Sequence, residues 1–193
     1  MSLRKIIFDI ETRNTFQEAG SSDPKDLDIS VVCAYDSGTD TYTSYLVETL
    51  KDFWPLIEQA DMLVTFNGNH FDIPLLNKYY SGDLSKIKSL DLLAEVRASL
   101  GRRIKLDSIA EATLGLNKIA HGLEAIAWWK AGEIDKIIKY CMEDVRITKE
   151  IYEYALKNKH LKYPDGSTIK DIKLDTRNWE TKEETTMNFT LPF

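Results

Sequence analysis

Cysteine and long apolar runs are scarce in this chain of 193 residues, and its 25 basic residues are fewer than its 31 acidic ones. The two cysteines, Cys33 and Cys141, lie in apolar stretches without a CxxC pair, so we expect buried hydrophobic residues and neither a disulfide framework nor a structural zinc site. No run of about 18 apolar residues is present, which argues against a membrane span. The first residues pass directly into an acidic stretch, unlike a signal peptide, so we predict a cytoplasmic protein with no membrane partner.

The chain is acidic overall, with a formal net charge of −6. This charge argues against a protein that coats nucleic acid by bulk electrostatics, because such domains are usually basic. It is compatible with an enzyme, since bound divalent cations restore positive charge where phosphates would lie. Two local groups of basic residues are explained more simply as solvated faces than as ligand sites. They are Arg97, Arg102, Arg103 and Lys105, and Lys118, Lys130, Lys136 and Lys139.

The hydrophobic pattern predicts one globular α/β domain, for which 43% hydrophobic and 29% charged residues are an ordinary balance. Residues 3–10 are apolar on both alternating faces, which predicts a central strand, and the polar residues 12–28 predict a loop. Further strands are predicted at 29–35, 41–47, 62–66 and 87–90. Helices are predicted at 50–60, 71–80, 91–99, 106–114, 122–131 and 134–158.

These elements predict a mixed five-stranded sheet flanked by helices, within a domain of residues 1–159. A strong turn signal at 163–167 lies between two possible strands, and a polar tail follows it. We therefore predict that residues 160–193 form a hairpin and tail that pack on the same domain. No internal repeat or long linker divides the chain.

Two acids end the first predicted strand. Residues two apart in a strand point to the same face, so Asp9 and Glu11 should project together, with Cα atoms roughly 6.5 Å apart. Two such carboxylates could share one cation, although an acidic strand end facing solvent would show the same pattern. Because open α/β sheets bind ligands at the carboxyl ends of their strands, the position favours a site.

A third acid, Asp72, follows the turn Asn67-Gly68-Asn69 in the first turn of the next predicted helix. An aspartate at this position could simply cap the helix or interact with its dipole. Capping does not require the Asn-Gly pair, whose amide and flexible backbone could also meet a nucleotide. The motif alone therefore leaves both interpretations open.

The last long helix carries Tyr140 and Asp144, which are four residues apart and so lie one above the other on the same face. Asp144 falls on the apolar side of this helix, where no lysine or arginine lies one turn away. A lone carboxylate in such a setting is costly unless it binds a proton, a metal or a partner. Asp144 is therefore a candidate metal ligand, whereas Tyr140 by itself would be an ordinary core tyrosine.

Together these three segments resemble the motifs of the DEDD superfamily of exonucleases, tyrosine subclass. The segments are Phe-Asp-Ile-Glu-Thr, Asn-Gly-Asn-x-Phe-Asp-Ile-Pro-Leu-Leu and Tyr-Cys-x-x-Asp-Val, and the match spans residues 3–158. The histidine subclass would place histidine where Lys139 stands, so Tyr140 indicates the subclass. The chain is similar to the proofreading domains of B-family DNA polymerases and to stand-alone ribonuclease H-like exonucleases, although residues 160–193 match no part of that pattern.

This resemblance implies a ribonuclease H-like fold and a 3′→5′ exonuclease that releases nucleoside 5′-monophosphates. The implied substrate is the 3′ end of a single-stranded nucleic acid, with DNA favoured. Two Mg²⁺ or Mn²⁺ ions and no nucleotide cofactor are implied. The implied metal ligands are Asp9, Glu11, Asp72 and Asp144, of which Asp9 would contact both ions.

The resemblance also implies a role for Tyr140 and a set of substrate contacts. Tyr140 would orient the attacking water rather than take its proton, because the ordinary pKa of tyrosine is near 10. The candidate substrate contacts are Ile10, Thr12, Asn67, Phe71 and Lys118. Three other interpretations stay open: a non-cleaving nucleic-acid-binding module, an endonuclease or exoribonuclease relative, and a structural protein whose acids form salt bridges. The sequence does not indicate an oligomeric state.

Overall fold

The structure is a computed structural model that describes residues 3–116 and 122–181. Its centre is a five-stranded mixed sheet with the strand order β3-β2-β1-β4-β5. The strands are β1 (Lys5–Thr12), β2 (Ile29–Asp36), β3 (Thr41–Leu46), β4 (Met62–Thr65) and β5 (Ser89–Asp91). The helices are α1 (Phe16–Ala19), α2 (Trp54–Glu58), α3 (Asp72–Leu76), α4 (Leu92–Leu100), α5 (Leu106–Leu114), α6 (Gly122–Lys130) and α7 (Ile134–Asn158). The predicted α/β architecture is confirmed.

Strand β1 lies in the middle of the sheet, antiparallel to β2 and parallel to β4. Ile6, Ile7 and Phe8 are all almost fully buried, so both faces of the strand are covered, as the sequence predicts. Strand β4 pairs with β1 only from Lys5 to Ile7. The last residues of β1 therefore extend beyond the β4 ladder, which leaves their edge on that side open to other groups.

Two hydrophobic layers cover the sheet. The layer that contains Ile7 packs the sheet against α5 and α7, and helix α7 crosses both β1 and β2. The layer that contains Phe8 packs it against α2 and α3. Since side chains alternate along β1, the residues that follow Ile7 on its own face point toward α7.

Three predicted elements differ from the structure. The predicted loop at 12–28 contains α1, whose Thr15 and Glu18 form a capping box, and a 3₁₀ helix at Pro24–Asp26. The predicted helix at 50–60 begins as a 3₁₀ helix and becomes α-helical at Trp54, because proline at position 55 is tolerated only in the first turn of an α-helix. The predicted helix at 71–80 is α-helical only over Asp72–Leu76. After it, the N–H groups of Lys78 and Tyr79 donate to the carbonyl three residues earlier, as in a 3₁₀ turn.

The chain continues into a hairpin of β6 (His160–Asp165) and β7 (Thr168–Lys173), which packs against α4 and α5. The turn is shorter than predicted, because Tyr163 and Pro164 belong to β6 and pair with β7. Gly166 supplies the positive φ, 63°, that a two-residue hairpin loop requires. The division into residues 1–159 and 160–193 stays a prediction.

The segment after the hairpin packs against the end of the sheet where β1 begins. The Trp179 ring stacks on Tyr152 with centroids 6.0 Å apart, and Glu180 accepts a hydrogen bond of 2.6 Å from Lys5 Nζ. In the ranges that the structure describes, no helix has the length and apolar character needed to cross a membrane.

Candidate active site

Strand β1 presents Asp9 and Glu11 on the face that is directed toward α7. They follow Ile7 on this face, while Ile10 between them faces the opposite layer and is 5% exposed. The acids lie at the end of β1 that extends past the β4 ladder. The predicted common face of the two carboxylates is therefore present, at the carboxyl end of the central strand.

Helix α7 brings Tyr140 and Asp144 over the same end of β1. The Cys141 thiol, between them on the helix, donates a hydrogen bond to the main-chain oxygen of Asp9 at 3.4 Å, which fixes the helix against the strand. One carboxylate oxygen each of Asp9, Glu11 and Asp144 lie within 4.8 Å of one another. Acids that are 135 positions apart in the chain thus form one cluster.

Asp72 lies beside this cluster and is the most deeply buried of the four acids, at 3% exposed. Its carboxylate interacts with the main-chain N–H of Ile10, on the edge of β1 that β4 leaves open. Its Oδ1 atom is buried without any hydrogen-bond partner. A buried carboxylate oxygen without a partner is costly and indicates a missing ligand such as an ion or water.

The turn that leads into Asp72 is held very close to β4. A Cβ atom on Gly68 would lie 2.3 Å from Thr65 Oγ1 and 2.5 Å from its Cβ, so no side chain fits there. Asn67 adopts the left-handed conformation with φ of 75°, which asparagine tolerates better than most residues. The Asn-Gly pair is therefore required by the shape of this turn.

Burial raises the pKa of all four acids, and nearby carboxylates add to it. For Asp9 and Glu11, burial comes first and the neighbouring carboxylates add to it, so that both pKa values lie well above their ordinary range. Burial raises the pKa of Asp72 to about 7, and that of Asp144 also to about 7. Without a cation, the cluster therefore holds protons at neutral pH.

Tyr140 is the neutral polar group of the cluster. Its hydroxyl interacts with the Asp144 carboxylate, and its ring meets Trp128 of α6 edge to face, with centroids 6.1 Å apart. Burial, followed by the charges of Asp144, Glu11 and Asp9, raises its pKa above the ordinary value. A tyrosine in this setting stays protonated and can donate a hydrogen bond, but it is a poor base.

The donor set fits hard divalent cations. All four candidate ligands offer carboxylate oxygen, and none of the four acids pairs with a lysine or arginine in the described ranges. The nearby Cys141 thiol is already directed at a main-chain oxygen, so it adds no sulfur ligand. The unpartnered Oδ1 of Asp72 is the observation that most directly indicates an absent ion.

The predicted substrate contacts lie in different environments. The Ile10 side chain is buried in the layer away from the acids, so only its main chain faces the site. Thr12 is nearly buried and donates to the main-chain oxygen of Asn14. Phe71 is partly exposed and meets Phe16 of α1 edge to face, with centroids 6.2 Å apart. Lys118 lies outside the described residues, and these roles stay predictions.

Sequence reasoning missed Asp91, which organises the turn beside the acids. This buried aspartate caps α4 through the N–H groups of Leu93 and Ala94. It also accepts hydrogen bonds from the N–H groups of Asn67 and Asn69, at 2.8 and 3.2 Å. The signal was present, since an aspartate directly before an apolar helical stretch is a typical N-cap. Its bonds to residues more than twenty positions away leave no trace in the sequence.

Arg103 was also missed as a neighbour of the site. Its Nη2 donates to Asn67 Oδ1 at 2.7 Å, which leaves the amide nitrogen of Asn67 free for another partner. The sequence places Arg103 in a basic group without showing which of those side chains reaches the turn.

Comparison with known proteins agrees with the fold described above. A family model described as RNase_H superfamily matches residues 6–156. A DNA polymerase from Thermococcus aggregans is 28% identical over 136 residues, a match that covers 54% of this chain and 7% of the polymerase. The structure of a family B DNA polymerase from the hyperthermophilic archaeon Pyrobaculum calidifontis has a similar fold, with a TM-score of 0.63 and 20% identity over 81% of this chain and 25% of that chain. The chain thus spans only a small part of either polymerase, and the family match over most of its length shows that it belongs to the RNase H superfamily.

Proposed function

We propose that this protein is a metal-dependent 3′→5′ exonuclease of the DEDD superfamily, tyrosine subclass. Its substrate would be the 3′ end of single-stranded nucleic acid, with DNA favoured, and its products would be nucleoside 5′-monophosphates. The observation that carries the proposal is the carboxylate cluster at the end of β1, with three acids within 4.8 Å and a fourth, Asp72, whose buried oxygen has no partner. Such a cluster suits phosphodiester hydrolysis better than it suits stability.

The four acids would hold two Mg²⁺ or Mn²⁺ ions, which supply charge neutralisation at the scissile phosphate and activation of the attacking water. Asp9 and Glu11 come from a rigid buried strand, and Asp144 comes from a helix fixed to that strand by the Cys141 hydrogen bond. The ligands therefore need little rearrangement when ions bind, which favours catalysis by positioning.

Tyr140 would orient the attacking water through its hydroxyl. It stays protonated because its surroundings raise its pKa, and Trp128 supports its ring. A proton taken from the water would then pass to solvent or to a carboxylate rather than to Tyr140. The position of Tyr140 beside Asp144 is the observation that supports the tyrosine subclass.

The 3′→5′ direction and the preference for DNA rest on the resemblance to polymerase proofreading domains. The free amide nitrogen of Asn67 and the partly exposed ring of Phe71 offer a hydrogen-bond donor and a stacking surface for a terminal nucleotide. Both precede Asp72 in the chain and lie on the turn in which Gly68 packs against Thr65.

The decisive experiment compares linear and circular single-stranded DNA in Mg²⁺ and in excess EDTA. We expect 5′-monophosphates from the linear strand only, and only with metal. Cleavage of the circle would indicate an endonuclease, and degradation in EDTA would contradict the metal mechanism. Binding without any cleavage would indicate a non-cleaving module, while faster hydrolysis of matched RNA would make the protein an exoribonuclease.

A further inference from the structure

An open pocket of about 620 Å³ lies beside the turn that leads into Asp72. One wall is formed by the turn residues Asn67 and His70, and the other by α4 and Arg103. Ala94 and Ala98 lie four residues apart on one face of α4, so two small side chains leave room between the walls. The pocket is thus a cleft between the turn and the helix, open to solvent.

The charges that line the pocket are unevenly compensated. Its one acid, Asp91, accepts four main-chain hydrogen bonds, from Asn67, Asn69, Leu93 and Ala94. Its two arginines, Arg97 and Arg103, form no ion pair with any carboxylate in the described ranges. Among the described residues, Arg103 hydrogen-bonds the neutral amide of Asn67 and no carboxylate. The pocket therefore presents two guanidinium groups without a carboxylate partner, and these could bind an anion bidentately.

A neighbouring arginine, Arg102, has the carboxylate partner that Arg97 and Arg103 lack among the described residues. Arg102 forms an ion pair of 3.2 Å with Asp165 and lies over the Tyr163 ring, 5.3 Å from its centroid. It points to the hairpin and does not line the pocket. Adjacent arginines of the same loop thus have different surroundings, one paired with an acid and one without an acidic partner.

The pocket adjoins the carboxylate cluster. Asn67 lines the pocket and stands five residues before Asp72 on the same turn. Asp91 also lines the pocket and lies close enough to Asp72 that its charge adds to burial in raising the pKa of that carboxyl. The pocket and the acids are therefore joined by the turn that runs from Asn67 to Asp72.

We infer that Arg97 and Arg103 bind a backbone phosphate of the substrate strand on the 5′ side of the scissile bond. The inference rests on the proposed function, which puts the terminal linkage at the acids. A strand that ends in a 3′-hydroxyl has its remaining phosphates only on the 5′ side, so an anion pocket next to the acids matches this part of the strand. The pocket would supply positive charge beside the acids in a protein whose formal net charge is −6.

Binding measurements on a variant without turnover test the inference. In an Asp144→Ala background with Mg²⁺, anisotropy of a labelled single-stranded DNA gives Kd as a function of salt. Loss of one phosphate contact reduces the salt slope by about 0.7, which corresponds to about fivefold weaker binding at about 0.1 M salt. We expect this change for Arg97→Gln and for Arg103→Gln, whose glutamine can still donate to Asn67. The matched control, Arg102→Gln, should bind like the parent.

The position of the contact is tested with oligonucleotides that carry one neutral methylphosphonate linkage, scanned from the 3′ end. One linkage on the 5′ side of the terminal one should weaken binding to the parent, and the same linkage should have a smaller effect in Arg97→Gln, where Arg103 alone still contacts the phosphate. Parental affinity and salt slope in both pocket variants would overturn the inference. Arginine-dependent tightening by a terminal 3′-phosphate alone would also overturn it, because the pocket would then bind the other side of the scissile bond.

The two proposals can fail separately. If the protein with Asp144 intact hydrolyses no strand in Mg²⁺, the exonuclease proposal fails, yet the binding series still decides whether Arg97 and Arg103 bind backbone phosphate. If hydrolysis is present and the arginine variants keep the parental KM and kcat, the exonuclease proposal stands. In that case Arg97 and Arg103 do not bind a phosphate of the substrate strand.

Discussion

Two buried aspartates at opposite ends of the sheet have opposite environments. Asp36, at the end of β2 beside the start of β1, is 4% exposed, and Asp72, beside the end of β1, is 3% exposed. Asp36 accepts hydrogen bonds from Nε and Nη2 of Arg4, at 3.1 and 2.7 Å. The guanidinium group holds the pKa of the Asp36 carboxyl below its ordinary range. Asp72 has an oxygen without a partner, and burial raises its pKa to about 7.

The comparison shows that this fold can neutralise a buried acid and does so where no ligand is needed. At the Asp36 end of the sheet, Lys5 also pairs with Glu180, and Lys88 donates to main-chain oxygens of Asn178 and Thr181. At the Asp72 end, four acids share a site with no lysine or arginine partner in the described ranges. The missing compensation marks the end of the sheet where we propose that cations bind.

Removing one acid at the uncompensated end should have the largest effect. We expect Asp144→Asn to lower kcat by at least about a thousandfold, because metal-assisted charge stabilisation contributes several kcal/mol. The variant should remain folded, since it removes a repulsive carboxylate. Rates on linear single-stranded DNA together with thermal unfolding check this expectation. Activity within tenfold of the parent would exclude Asp144 from the metal site.

The pH dependence of stability should be the second largest effect. When folding raises the pKa of an acid, that acid stabilises the folded state. The stabilisation is fully present below the ordinary pKa, near 4, and is lost as the pH rises through the raised pKa, about 7 for Asp72 and Asp144. In EDTA, Tm should therefore fall between pH 5 and pH 8. Asp36, whose pKa is lowered, titrates below this window and leaves the slope unchanged.

Bound metal should oppose the fall of Tm with rising pH. Since Mg²⁺ binds the ionised carboxylates, it should raise Tm more at pH 8 than at pH 5. Asp72→Asn should flatten the fall of Tm in EDTA. A metal-free Tm that rises from pH 5 to pH 8 would contradict the raised pKa values of the cluster.

Breaking the compensated end should affect stability and leave catalysis intact. We expect Asp36→Asn to cost about 2 kcal/mol of unfolding free energy, because Arg4 then loses the charge that its hydrogen bonds require. Denaturant unfolding measures this loss, and kcat under folding conditions should equal that of the parent. A drop in kcat without a loss of stability would show that the two ends are coupled.

The smallest expected effect is that of Tyr140→Phe. Loss of the hydroxyl should lower kcat about tenfold, equivalent to about 1.4 kcal/mol, if the tyrosine orients water. The Kd for Mn²⁺, measured by calorimetric titration, should stay unchanged because Tyr140 is not a predicted ligand. Unchanged kcat would remove the hydroxyl from the mechanism.

Much of the fold could be predicted because its signals are local. The apolar faces of β1 and the spacing along α7 predict both elements and the faces on which Asp9, Glu11 and Asp144 stand. The helices at 106–114 and 134–158 are confirmed at their predicted bounds. The errors include those at 12–28 and 50–60, where a capping box and a proline within the first helical turn determine the local structure.

The surroundings of the site could not be predicted in the same way. The bonds from Asp91 to Asn67 and from Arg103 to Asn67 join positions 24 and 36 residues apart, and they depend on how turns and helix ends meet in space. Periodicity gives the face of an element and not the partner that a side chain finds across a turn. The acids were predicted because they lie in three sequence motifs. Asp91 and Arg103, which hydrogen-bond the turn, lie in none of these motifs.

Gly68 gives this turn a further property. The Thr65 side chain fills the space where a Cβ of residue 68 would lie, so the turn that carries Asn67 and Asp72 sits directly against β4 before any ion or strand binds. The loss of conformational entropy that ordering this loop requires occurs during folding rather than during binding. Gly68→Ala should therefore push the turn away from Thr65 and raise the Kd for single-stranded DNA, although residue 68 contributes no side chain to the site.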